Sequence, residues 1–177
     1  MAPRPDAPRS AADARAEVEA QKDERRAALE AAFAERYGDT RPGRSTVLLD
    51  RVATGLLALT ALLAAVAPET FVGVYFGYSI LCFLAGSVLF FLAMLRAAQR
   101  SRTDAIGIGG LFFMAGTAPS WARRQLLGLL GAQVVISVVA ASVRPFTPLA
   151  FGTLAPLLGL GVCGWWTARF GVFGPRA

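Results

Sequence analysis

With 177 residues, 55% of them hydrophobic, and a mean hydropathy of +0.50, the chain is too apolar for an ordinary water-soluble domain. Its net charge of +6 is unevenly placed: residues 1–44 hold nine basic and nine acidic groups, and the whole surplus falls in residues 45–177, where nine arginines stand against Asp50, Glu69 and Asp104. Those arginines flank apolar blocks and form no continuous stripe, which argues against a nucleic-acid partner and for topology signals that meet anionic lipid headgroups.

Residues 1–15 (MAPRPDAPRSAADAR) combine three prolines with alanine and charge and bury too little apolar area to fold, so a disordered tail is expected. Residues 16–37 are rich in Ala, Glu and Arg without Gly or Pro, which predicts a cytoplasmic helix of about 33 Å. Leu29, Phe33 and Tyr37 give it a narrow apolar stripe that Val18 lies too far back to extend. So short a stripe favours a solvated juxtamembrane helix over a docking or coiled-coil one. Gly38 suits its C-cap and residues 41–43 (RPG) a turn, so 16–44 read as charged helix plus linker and 45–177 as the membrane domain. The first apolar block begins near residue 47, too late for a cleaved secretory signal, and is expected to act as a signal anchor.

Four blocks are long enough to cross a bilayer of about 30 Å as helices. The first, 47–67, has Ser45 or Thr46 as its expected N-cap and Asp50 in the first turn, at the positive end of the helix dipole. Arg51 is expected to reach back to the headgroups, and a buried Asp50–Arg51 pair with a mechanistic role is the less favoured alternative. Residues 68–70 (PET) make a tight return into the second span, 71–95, which carries no charge. Gly73 and Gly77 form a small-xxx-small pair where helices could approach closely, within the chain or between copies. Tyr75 and Tyr78 are placed at the outer interface.

Residues 96–104 (RAAQRSRTD) break the pattern, and 105–118 (AIGIGGLFFMAGTA) follow as the one ambiguous piece. Fourteen residues reach only about 21 Å as a helix, so this segment is read as interfacial or re-entrant before the third span, with an apolar loop tucked under the bundle as the favoured form. Its IGIGG run follows no strand and completes no dinucleotide-binding fingerprint. Trp121, Arg123 and Arg124 anchor the third span, 125–143, in which Gln133 is the only strongly polar side chain at depth and should bond across a helix interface. Arg144 to Pro148 (RPFTP) form an outer turn. The fourth span, 149–168, is expected to kink at Pro156, to offer a thin surface at Gly159, Gly161 and Gly164, and to end at Trp165, Trp166 and Arg169.

Ten arginines (41, 44, 51, 96, 100, 102, 123, 124, 169, 176) fall on one side of this threading and only Arg144 on the other. Such asymmetry predicts both termini in the cytoplasm. The fold expected is therefore an all-α membrane protein with four transmembrane helices, N-in and C-in. Arg96, Arg100, Arg102, Arg123 and Arg124 are the topology and anionic-lipid candidates.

The chemistry of a membrane enzyme is missing. The chain has no histidine, and its single lysine, Lys22, lies outside the spans. No acid is read at mid-span, so proton-coupled export and intramembrane hydrolysis lack their groups. Cys82 and Cys163 read as small hydrophobes inside spans, so no metal, cofactor or catalytic residue is assigned. Seventeen of the eighteen basic residues are arginine, as a GC-rich bacterial genome would encode.

Residues 144–161 (RPFTPLAFGTLAPLLGLG), followed by Trp165, Trp166 and Arg169, resemble the C-terminal part of small uncharacterised four-span integral membrane proteins of actinobacteria. The resemblance implies a bacterial inner-membrane location and nothing catalytic. The function expected is a non-catalytic accessory, scaffold or assembly protein that contacts lipids and a membrane-protein partner, the latter through 16–37 or 96–124. A passive channel or transport subunit using Gln133 and Pro156 is the first alternative. An enzyme acting on lipid headgroups through Arg96, Arg100 or Arg102 is the second.

Overall fold

The computed structural model describes residues 11–143, 147–174 and 176, and among them every regular element is helical. Helix α1 is Ala11–Tyr37, α2 Arg44–Val66, α3 Pro68–Arg100, α4 Ile108–Phe112, α5 Ser120–Val143, and α6 Leu157–Phe170. A 3-10 helix, Pro148–Leu154, leads into α6. Four stretches are long and apolar enough to cross a membrane: α2, α3, α5 and Pro148–Phe170. Residues such as Leu48, Leu59, Leu62, Leu81, Phe91 and Val135 stay exposed around them. Lipid tails are a suitable solvent for such a belt and water is not. The turn that holds Arg144 lies outside the described residues, as do residues 1–10 of the expected tail.

The fourth stretch is the inner one. In its apolar window 56% of residues are buried, against 33%, 22% and 22% for the windows in α2, α3 and α5. It can occupy the centre because glycine removes a side chain wherever a neighbour comes near. A Cβ on Gly161 would lie 2.5 Å from the carbonyl oxygen of Gly86, and one on Gly86 would strike the Leu157–Leu158 peptide. Gly164 faces the Phe112 ring in the same way. The small-residue approach thus joins α3 to α6 through Gly86 and Gly161. Gly73 and Gly77 have open space around them and pack against no helix among the described residues.

Several local expectations are corrected. The first span starts at Arg44, behind Gly43 and not behind Ser45 or Thr46. Gly43 has a left-handed backbone (φ 72), and a side chain there would collide with Trp166 and Phe170, so only glycine meets both demands. Helix α1 already begins at Ala11, just after the last proline of the tail, so 11–15 are helical. Tyr75 is fully buried against Gly152, and Tyr78 donates to the carbonyl of Ala53 at 2.9 Å, so both rings are engaged within the bundle. Pro156 does more than kink its helix. The preceding turns are 3-10, Gly152 gives its carbonyl to Ala155 at 3.0 Å, and α6 starts only after the proline.

Residues 105–118 fold against the bundle end that carries α1. Phe112 stacks on Phe90 with ring centres 4.6 Å apart, and Leu111, Met114 and Ala118 are buried. The backbone is tied to the tail: Ala105 N–H donates to Gly174 O at 2.9 Å, Val172 N–H to Thr117 O at 2.9 Å, and Arg176 N–H to Thr103 O at 3.0 Å.

Candidate functional site

Burial along α2 recurs at Val47, Asp50, Thr54, Leu57, Ala61 and Ala64, spacings of three and four that define its inward stripe. Asp50 and Thr54 are neighbours on that stripe and point into the bundle, Asp50 only 1% exposed. Asp50 is therefore not in the first turn of α2, which holds no acid, and it faces the bundle interior. Arg51, one position on, faces outward and is exposed, so the two form no buried pair.

Gln133 on α5 meets them. Its Nε2 donates to Asp50 Oδ1 and to Thr54 Oγ1, both at 2.9 Å, and its Oε1 accepts the backbone N–H of Gly159 at 3.0 Å. Thr54 in turn donates to the carbonyl of Asp50 at 2.8 Å. The N–H of Gly159 needs a partner because it lies in the first turn of α6, whose preceding turn ends at Pro156. Leu158 and Leu160 find carbonyls of Ala155 and Pro156, and Gly159 is served by the glutamine. Turning the amide over would set its NH2 against that N–H, so the orientation follows from the network. One side chain thereby joins α2, α5 and α6, which is the cross-helix bond expected of Gln133. The second carboxyl oxygen of Asp50, Oδ2, is buried without a hydrogen-bond partner among the described residues, as are Ser137 Oγ, Tyr75 Oη and Trp166 Nε1.

The arginines divide by location. Arg100 is engaged in the protein: it forms an ion pair with Asp104 at 2.8 Å, donates to the carbonyls of Ala168 at 3.0 Å and Gly171 at 3.3 Å, and lies over Phe173. These contacts cap the C-terminal end of α6. Arg96 lies over Trp165, whereas Arg102, Arg123 and Arg124 are exposed.

The N-terminal helix docks, against the expectation that it touches nothing. Phe33 is buried and stacks on Trp166 at 6.3 Å, and Tyr37 Oη donates to Phe170 O at 3.4 Å. Glu30 accepts the N–H of Ser120 at 3.4 Å, a carboxylate at the start of α5. Trp166 is the centre of this joint, meeting Phe33, Trp121 and Phe170. The Leu29–Phe33–Tyr37 stripe carried the signal; its partner, an aromatic cluster more than a hundred positions later, was not visible from local spacing. In comparisons with known proteins, the chain significantly matches no family model, no curated protein and no solved structure.

Proposed function

We propose that this chain is a non-catalytic accessory or assembly protein of a bacterial inner membrane, with both termini cytoplasmic and α1 serving as its contact arm. The observation that carries the reading is the division of α1 into two parts. Its last two turns are fastened to the bundle through Phe33, Tyr37 and Glu30, while residues 11–28 are exposed on every side. An exposed length of about 27 Å, dense in Glu and Arg, stands on an aromatic joint and offers a charged surface to another protein.

The competing uses of the membrane domain have less support. Both amide hydrogens and the carbonyl oxygen of Gln133 are engaged in joining helices, which leaves little for lining a solute path. Arg100 is committed to Asp104 and the end of α6, so a headgroup site would rest on Arg102 and Arg96. The test is affinity purification in mild detergent of the full chain and of a form lacking residues 11–28, which keeps the Phe33 joint. A stoichiometric membrane-protein partner lost on that deletion supports the proposal. Equal recovery of the partner without residues 11–28, or no partner in either form, overturns it.

A further inference from the structure

Asp50 differs from every other acid among the described residues in being almost wholly buried inside a membrane-capable helix. Its Oδ1 receives one amide hydrogen from Gln133, and its Oδ2 receives none from the described residues. Among the described residues, the ionisable groups close enough to feel its charge are Tyr78 and Cys82 of α3 and Cys163 of α6, none of them cationic. From α5 it meets the uncharged Gln133, and the arginine beside it on α2, Arg51, points the other way. A carboxylate held there would be an unpaired charge in a low-dielectric interior, and such groups require a counter-cation or a proton.

The surroundings select between those two. A metal ion would need several free oxygen ligands. Here Gln133 presents its NH2 to the carboxyl, and the Thr54 hydroxyl is occupied between the Gln133 amide and the Asp50 carbonyl. A proton needs a single lone pair, which Oδ2 has. Asparagine would give Gln133 the same acceptor; what an acid adds at this position is the capacity to gain and lose a proton. Asp50 also lies only six positions from the start of α2, about 9 Å along the helix axis from the bundle end that carries α1.

We propose that Asp50 is an exchangeable proton site within the bundle, Oδ2 binding and releasing one proton through the end that carries α1. When the proton leaves, Oδ1 keeps its Gln133 bond while the new charge stands without a partner, so the three-helix junction is coupled to the proton. This inference is independent of the contact role of α1 and would survive its failure.

The test uses the full chain in lipid vesicles, compared with Asp50→Asn, which preserves the acceptor for Gln133. Infrared difference spectra taken from mildly acidic to mildly alkaline pH are expected to show a protonated-carboxyl C=O band that fades as pH rises and is absent from Asp50→Asn. In parallel, dicyclohexylcarbodiimide should modify Asp50: the acid O–H adds across one C=N bond, and the acyl group then migrates to nitrogen with no atom lost. The adduct, read by mass spectrometry, should fall several-fold over the same pH range. Absence of a band assignable to Asp50 overturns the proposal, and so does a band that does not change with pH. Suppression of the adduct by sodium at fixed pH also overturns it, in favour of a metal-ion site. If Asp50→Asn fails to fold, Asp50→Glu serves instead: a shifted band supports the assignment and an unshifted one refutes it.

Discussion

The two ends of α6 are held by the same device made of different chemistry. At its start, Gln133 accepts the N–H of Gly159; at its finish, Arg100 donates to the carbonyls of Ala168 and Gly171. Each side chain comes from another helix and satisfies backbone groups that a helix terminus leaves open. The first junction is dry and uses a neutral amide backed by a buried acid, whereas the second is about a fifth exposed and uses a full charge paired with Asp104. The contrast shows solvent selecting the cap. Guanidinium is tolerable where water or headgroups reach it, and an amide is the strongest neutral donor–acceptor that can be enclosed.

If that contrast is sound, removing Gln133 costs the most. Gln133→Leu strands the Gly159 N–H, Asp50 Oδ1 and an acceptor on Thr54, and each buried unsatisfied group costs about 1–3 kcal/mol. Some of that is recovered by relaxation, because bonds between membrane helices often contribute only about 0.6 kcal/mol when removed. A loss of about 3 kcal/mol is expected, measured by thermal unfolding in detergent. Adding Asp50→Asn to Gln133→Leu should restore part of it, since the stranded acid is then gone.

Next comes the glycine contact at the centre. Gly86→Ala places a methyl against the Leu157–Leu158 peptide, which is backbone and cannot swing aside. Overpacking of this kind costs about 1–3 kcal/mol. The same assay checks it, and a neutral outcome would mean that α3 and α6 are farther apart than described. Arg100→Ala should follow at about 1–2 kcal/mol, the usual value for charge-assisted bonds, reduced by its partial exposure. High salt should narrow the gap between Arg100→Ala and the parent chain while leaving Gln133→Leu unaffected. A salt-sensitive Gln133→Leu would break the comparison between the two ends.

How much of this was legible depended on whether the deciding contact was local. The four membrane-capable helices follow from run length and composition, and they were readable because a hydrophobic block needs no partner to be recognised. Gln133 was visible as a lone polar group at depth, but its partners were not. Asp50 reads as a span-edge residue because it is near Arg44 and beside Arg51. The inward stripe Val47–Asp50–Thr54–Leu57, read at helical spacing, would have turned it inward. Pro156 signals a break, yet the 3-10 turn before it and the Gly159 N–H that Gln133 takes up after it emerge only from packing. The docking of Phe33 on Trp166 joins elements 133 positions apart, beyond the reach of any periodicity.

The smallest effect is expected at Gly73 and Gly77, which share the small-residue spacing but not the surroundings of Gly86. Both are exposed, and a methyl added at either would meet open space among the described residues. Gly73→Ala replaces a poor helix former by the best one, worth up to about 1 kcal/mol in an exposed helix interior, with no packing penalty against it. Unfolding in detergent should therefore be unchanged or slightly later, opposite in sign to Gly86→Ala. The pair of substitutions separates a motif from its use, since identical chemistry on one helix gives opposite outcomes according to what lies across from it. A loss at Gly73 as large as that at Gly86 would show that a second molecule covers this face of α3. Cross-linking of a cysteine placed at Gly77 would then identify whether that molecule is another copy of the chain.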